Sequence, residues 1–175
     1  MRANTEQMEA QIVAALKSIP SQLNPDQSEI AWRNTVKGVI SKLGEQHGYT
    51  VLGLPESLDR EWVFDLCWYR DGEGGKPCEL ALALQAEWQM DYTFVHGFFH
   101  QLLPAKSKFK VMIFRAKGWT QMERYITLAE EIEYAHSTGG TNEIYLLVCF
   151  NEDAWDFQIK RIEFSAHSKP VATLL

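Results

Sequence analysis

The chain has little of what would place it in a special class. Its three cysteines, Cys67, Cys78 and Cys149, are an odd number with no CxxC spacing. Such a set does not build a disulfide scaffold and reads as buried free thiols in a reducing cytosol. No apolar run approaches the length that spans a bilayer, and the first residues lack the apolar core of a secretory signal. The expected setting is cytoplasmic, with no membrane partner. There is no linker, internal repeat or low-complexity stretch, so a single domain over 1–175 is expected. Positive charge is scarce as well: 17 Lys and Arg stand against 23 Asp and Glu, a net charge of -6. The molecule as a whole is not built to hold nucleic-acid phosphates, which leaves that task to a local basic patch.

What is present is ordinary globular composition, 46% hydrophobic and 23% charged, with six Trp and nine Phe. Those aromatics fit a well-filled core or a surface reserved for a partner. Thr5 to Ile19 carries Met8, Ile12, Leu16 and Ile19 at helical spacing, so 1–20 reads as an accessory helix ended by Pro20. Asn24, Pro25 and Gln27 predict the start of a second helix, with the stripe Trp32, Val36, Val39, Ile40 and Leu43 and a stop at Gly44 or Gly48. Glu29 falls on its apolar face, where it either meets the solvent at the first turn or points at a polar site beneath the helix.

Tyr49 to Leu54 reads as a strand closed by Pro55. The stretch from Glu61 to Trp88 then organises the rest. Two apolar runs flank DGEGGKP, whose Asp-Gly and Gly-Gly pairs predict a hairpin. Period two puts Trp62, Phe64, Leu66 and Trp68 on one face of the first strand, and Val63, Asp65 and Cys67 on the other. In the second strand Leu80, Leu82 and Leu84 share one face, and Ala81, Ala83, Gln85 and Glu87 the other. Antiparallel pairing then gathers Asp65, Gln85 and Glu87 on one face.

Asp91 predicts a helix cap, with Phe94, Val95, Phe98 and Leu102 inward and Pro104 as the stop. His96 and His100 on this helix have a spacing that chelates zinc, but no third ligand stands near them in sequence, and two surface histidines are the simpler reading. Phe109 to Phe114 reads as a strand with Lys106, Lys108, Lys110, Arg115 and Lys117 around it, either solvated basic ends or a phosphate-facing rim. Thr120 and Glu123 predict a capping box for a helix with Met122, Tyr125, Ile126, Ala129 and Ile132 inward, and Gly139-Gly140 ends the connection after it. Glu143 to Phe150 reads as a central strand and Trp155 to Phe164 as an edge strand. Residues 165–175 read as a tail.

This order predicts an α/β fold, a mixed central sheet flanked by helices. With an acid in the second strand and a polar-x-acid pair ending the third, it resembles the restriction-endonuclease-like nucleases of the PD-(D/E)XK type over residues 25–150. The resemblance implies a magnesium- or manganese-dependent nuclease acting on DNA or RNA. In that family an Asp on the second strand and an acid on the third hold the metal, and a Lys two residues later serves the attacking water. Asp65 matches the Asp, Gln85 falls at the acidic position and Glu87 at the Lys position. Glu29 matches a first-helix Glu that many members carry, and the Ala86 carbonyl is a further ligand by analogy. The implied metal set is Asp65, Glu87 and Glu29, with Gln85 and Lys106 completing the catalytic residues. Gln85 and the missing Lys are departures, so a catalytically inactive scaffold that binds protein or nucleic acid is the alternative. A homodimer is in keeping with the family.

Overall fold

The computed structural model describes residues 2–24, 26–53, 63–118, 120–136, 142–165 and 168–175. The chain runs through α1 (Arg2–Ser18), α2 (Glu29–Gln46), β1 (Thr50–Leu52), β2 (Leu66–Asp71), β3 (Pro77–Glu87), α3 (Tyr92–Leu102), β4 (Ser107–Ala116), α4 (Thr120–Ala135), β5 (Glu143–Asn151), β6 (Asp156–Ser165) and β7 (Ser168–Leu174). The strands lie in one sheet in chain order. β3, β4 and β5 are mutually parallel, and the remaining neighbours are antiparallel. The fold is thus α/β, a mixed sheet flanked by helices. Parallel neighbours need crossover connections, which α3 and α4 supply. Two right-handed crossovers advancing in one direction put both helices on the same face. Val95, Phe99, Leu102, Tyr125, Leu128 and Ile132 accordingly share a core with Met112, Phe114 and Leu147. On the other face Ile12, Leu16, Val36 and Ile40 of α1 and α2 pack on Leu82, Leu84, Val111 and Ile113. Among the described residues no helix is long and apolar enough to cross a membrane.

Several local expectations shift. Asn24 and Gln27 do form a box, the Asn24 N–H donating to Gln27 Oε1 at 3.1 Å, but it closes a turn ahead of the helix. Ser28 is the cap of α2, its hydroxyl accepting from the Ala31 N–H. Pro25 lies outside the described residues, as do Pro55, Glu61, Trp62, Gly139 and Gly140. The two predicted hairpin strands do pair, but Val63 to Asp65 bend rather than extend β2. Phe64 therefore packs with the α3/α4 core while Leu66 and Trp68 join the other. A bulge opposite Trp68 and Tyr69 inserts one residue into β3, so Leu80 and Leu82 face opposite cores. Phe94 is exposed and Phe99 takes the buried place on α3. On α4 the buried residues are Gln121, Tyr125, Leu128 and Ile132, while Met122 and Ile126 face out. The helix is rotated because Gln121 and Tyr125 reach across to β6, donating to the Gln158 side chain and carbonyl, both at 2.5 Å. β6 is not an edge, since Ser168–Leu174 pairs with it as β7 in place of the expected tail.

Gly44 explains how α2 sits so close to the sheet. A Cβ there would stand 2.5 Å from Trp68 Nε1 and 2.7 Å from its Cε2, and the Trp68 ring is fully buried. Gly48, with φ +74°, follows the C-cap His47 and ends the helix. Gly44→Ala is expected to destabilise by about 1–3 kcal/mol through overpacking, against its better helix propensity. Gly38→Ala, in the same helix with open space around it, is expected to stabilise by up to about 1 kcal/mol. Urea unfolding of the two variants checks the opposite signs.

Candidate functional site

Antiparallel pairing of Leu66 with Leu84 brings Asp65, just ahead of β2, beside Gln85, near the end of β3. The approach is tight on the β1 side too, where Gly53 at φ +88° leaves no room for a Cβ beside the Asp65 carbonyl. Gln85 is buried and its amide is engaged at both ends. Its Oε1 accepts the Asp65 N–H at 3.3 Å. Its Nε2 donates to the Val63 carbonyl and to Gln101 Oε1 of α3, each at 2.7 Å. The Asp65 carboxylate accepts the Ala86 N–H at 2.9 Å through Oδ2. Val63, Phe64, Asp65, Gln85, Phe98 and Gln101 line a pocket of about 430 Å³. Glu87, two residues on from Gln85, is 3% exposed and accepts the Gln89 N–H at 2.7 Å through Oε1.

The other candidates stand elsewhere. Glu29 is exposed at the first turn of α2 and lines a separate pocket of about 310 Å³ with Trp32, Trp88, Arg115, Glu152 and Trp155. That pocket opens at the carboxyl ends of β4 and β5, where open α/β sheets receive ligands. Lys106 is exposed just before β4, and β3–β4 register aligns Ser107 with Leu80 but Met112 with Gln85. At about 3.3 Å per residue, Lys106 lies roughly 20 Å along the sheet from Gln85. Asp65, Glu87 and Glu29 do not gather as a converging set of donors. Magnesium asks for octahedral oxygen ligation with one or two carboxylates. Gln85 has its oxygen on a backbone N–H, and Glu29 belongs to another pocket, so the implied set does not fit that ion in this arrangement. His96 and His100, in contrast, acquire a third group from α4, Glu131.

Lys110, expected at a solvated basic strand end or a phosphate-facing rim, is instead one of the most buried side chains. It sits on central β4, facing α3 and α4, with Nζ 2.6 Å from Glu143 Oε2. It also donates to the Tyr145 hydroxyl at 2.9 Å and the Leu103 carbonyl at 2.8 Å. Tyr145 donates to Glu143 at 3.1 Å, and His136 Nε2 lies 2.8 Å from the Tyr145 hydroxyl and 3.2 Å from Glu143. Burial holds the Lys110 ammonium below its usual range, with Glu143 opposing, and raises the Tyr145 phenol. Burial also lifts the thiols of Cys67 to about 11 and of Cys149 to about 12, so neither is a nucleophile at neutral pH. The alternation of β4 alone would have flagged Lys110, since its position shares a face with Met112 and Phe114.

Comparisons of the chain with protein-family models, with curated proteins and with solved structures return no match.

Two outcomes test the buried cluster. Glu143→Gln leaves the Lys110 ammonium without its counter-charge and is expected to cost about 3–5 kcal/mol in urea unfolding. Burial lowers the His136 pKa, with Glu143 opposing and Lys110 adding. An unfolded His takes a proton near pH 6.5, the folded one only at lower pH. The unfolded state therefore binds more protons in that interval, and this stability is complete above about pH 6.5 and lost as pH falls through the folded value. His136→Gln is expected to flatten the fall of the urea midpoint between about pH 7 and about pH 5.

Proposed function

We propose that this chain is a restriction-endonuclease-like core whose metal site has lapsed, and that it acts by binding another protein. One observation carries the reading. Gln85 stands where the resembled family has a metal-binding acid, and its amide clips Asp65, Val63 and Gln101 together. A neutral group satisfied on both ends closes a hairpin onto α3 and needs no cation. The protein partner is supported by the net charge of -6 and by the apolar surface of the α3/α4 layer. Met122 and Ile126 are 60% and 48% exposed one helical turn apart on α4. Neighbouring exposed apolar side chains such as Met122 and Ile126 mark interaction surfaces.

A magnesium-dependent nuclease acting on DNA or RNA is the second reading. It is favoured by Glu87, a carboxylate buried on the same side of β3 as Gln85. Calorimetric titration with magnesium and with manganese separates the two, together with cleavage assays on DNA and RNA. The lapsed site predicts no uptake and no cleavage by the wild type, and magnesium uptake gained by Gln85→Glu. Uptake and divalent-dependent cleavage by the wild type, both lost in Asp65→Ala with the fold intact, would establish the nuclease instead.

A further inference from the structure

We propose that His96, His100 and Glu131 form a zinc site that joins α3 to α4, with its fourth position open to solvent. The two histidines are four residues apart on α3 and present one face, their ring centroids 3.9 Å apart. Glu131 reaches them from α4. His96 Nε2 lies 3.0 Å from one carboxylate oxygen and His100 Nε2 3.1 Å from the other. The donor atoms of the three residues all fall within 4.8 Å of one another. Tetrahedral zinc with bonds of about 2.0–2.2 Å holds neighbouring ligand atoms roughly 3.4 Å apart. The two imidazole–carboxylate separations open by a few tenths of an ångström to admit the ion, and the widest donor spacing, within 4.8 Å, closes toward the same value.

The ligand types choose the metal. Two imidazoles and a carboxylate suit zinc and its late first-row neighbours, whereas magnesium and calcium ask for oxygen alone. The site is thus chemically separate from the Asp65 pocket. Three protein ligands and a water make an open zinc site, and here the imidazoles are 39% and 51% exposed while the carboxylate is 19% exposed. The Tyr92 hydroxyl, 3.4 Å from Glu131 Oε1, helps to orient the carboxylate from a further position on α3. Both helices are fixed by their own core residues, Val95 and Phe99 on one and Leu128 and Ile132 on the other. The donors are therefore held by rigid elements rather than loops. Zinc bound here pins the helix whose Gln101 holds Gln85.

Without an ion the same residues are a hydrogen-bonded bracket, each imidazole facing one carboxylate oxygen, and that bracket takes up no zinc. Calorimetric titration of the metal-stripped full chain with zinc chloride distinguishes the two. One zinc per chain is expected, with a rise in the thermal midpoint. His96→Ala and His100→Ala are each expected to weaken uptake more than about tenfold, and His47→Ala, on the α1/α2 side, to leave it unchanged. No uptake by the wild type, or equal uptake by the His96 and His100 variants, would overturn the site. Should the variants fail to fold by circular dichroism, cobalt(II) added to the wild type decides. Intense visible bands of four-coordinate cobalt support the site, and weak six-coordinate bands or no uptake reject it.

Discussion

Three parallel strands side by side must be covered on both faces, and the rest of the chain follows from that. β4 shows the constraint most plainly: Val111 and Ile113 face one core, Met112 and Phe114 the other. Parallel sheets of this kind have no face to spare for water. The crossovers α3 and α4 seal one side because their handedness leaves them no other place, and α1 and α2 must close the opposite side. With both faces sealed, open chemistry is confined to strand ends and helix seams. The Asp65 pocket, the aromatic pocket beside Glu29 and the His96–His100–Glu131 cluster all lie in such places. Any charge within the central strands must find its partner inside. Lys110 does so with Glu143 from the neighbouring strand, completed by Tyr145 and His136.

Layer and topology were legible because they rest on periodicity and connection length. The Asp-Gly and Gly-Gly turn, the alternation of β3 and the capping Asp91 all act within a few residues. The errors came from partners far along the chain. Nothing in the α4 sequence states that Gln121 and Tyr125 will be drawn inward by Gln158 of β6. The longer aliphatic stripe through Met122 and Ile126 is the better local pattern, and tertiary hydrogen bonding overrides it. The bulge that separates Leu80 from Leu82 is likewise invisible in an unbroken apolar run. β7 read as a tail because its polarity is that of an edge strand, whose evidence is a partner rather than a pattern.

The candidate site was legible to the same depth. Nearness of Asp65 to Gln85 follows from an antiparallel hairpin, and the two are joined by the Asp65 N–H to Gln85 Oε1 bond beyond the last ladder pair, Leu66 with Leu84. Position along a strand was the missing quantity for Lys106, because the helical crossover returns the chain to the far end of the sheet. Glu29 approaches from a helix on the other face, which spacing within its own helix cannot reveal. For His96 and His100 the third donor is 31 residues beyond His100 in sequence, and only the α3–α4 seam brings it near.

An amide rather than a carboxylate at Gln85 has a physical logic. Two carboxylates facing each other across a hairpin repel unless a cation lies between them or one takes a proton. An amide at the second position removes that demand and adds donors. Nε2 of Gln85 satisfies the Val63 carbonyl just before the chain enters β2, and it ties in Gln101. A glutamate there could accept the Asp65 N–H but could donate to neither of the other two. Gln85 thus stabilises the bend from Val63 to Asp65. A carboxylate at this position, lacking those two donors, would therefore come with a looser junction between hairpin and α3.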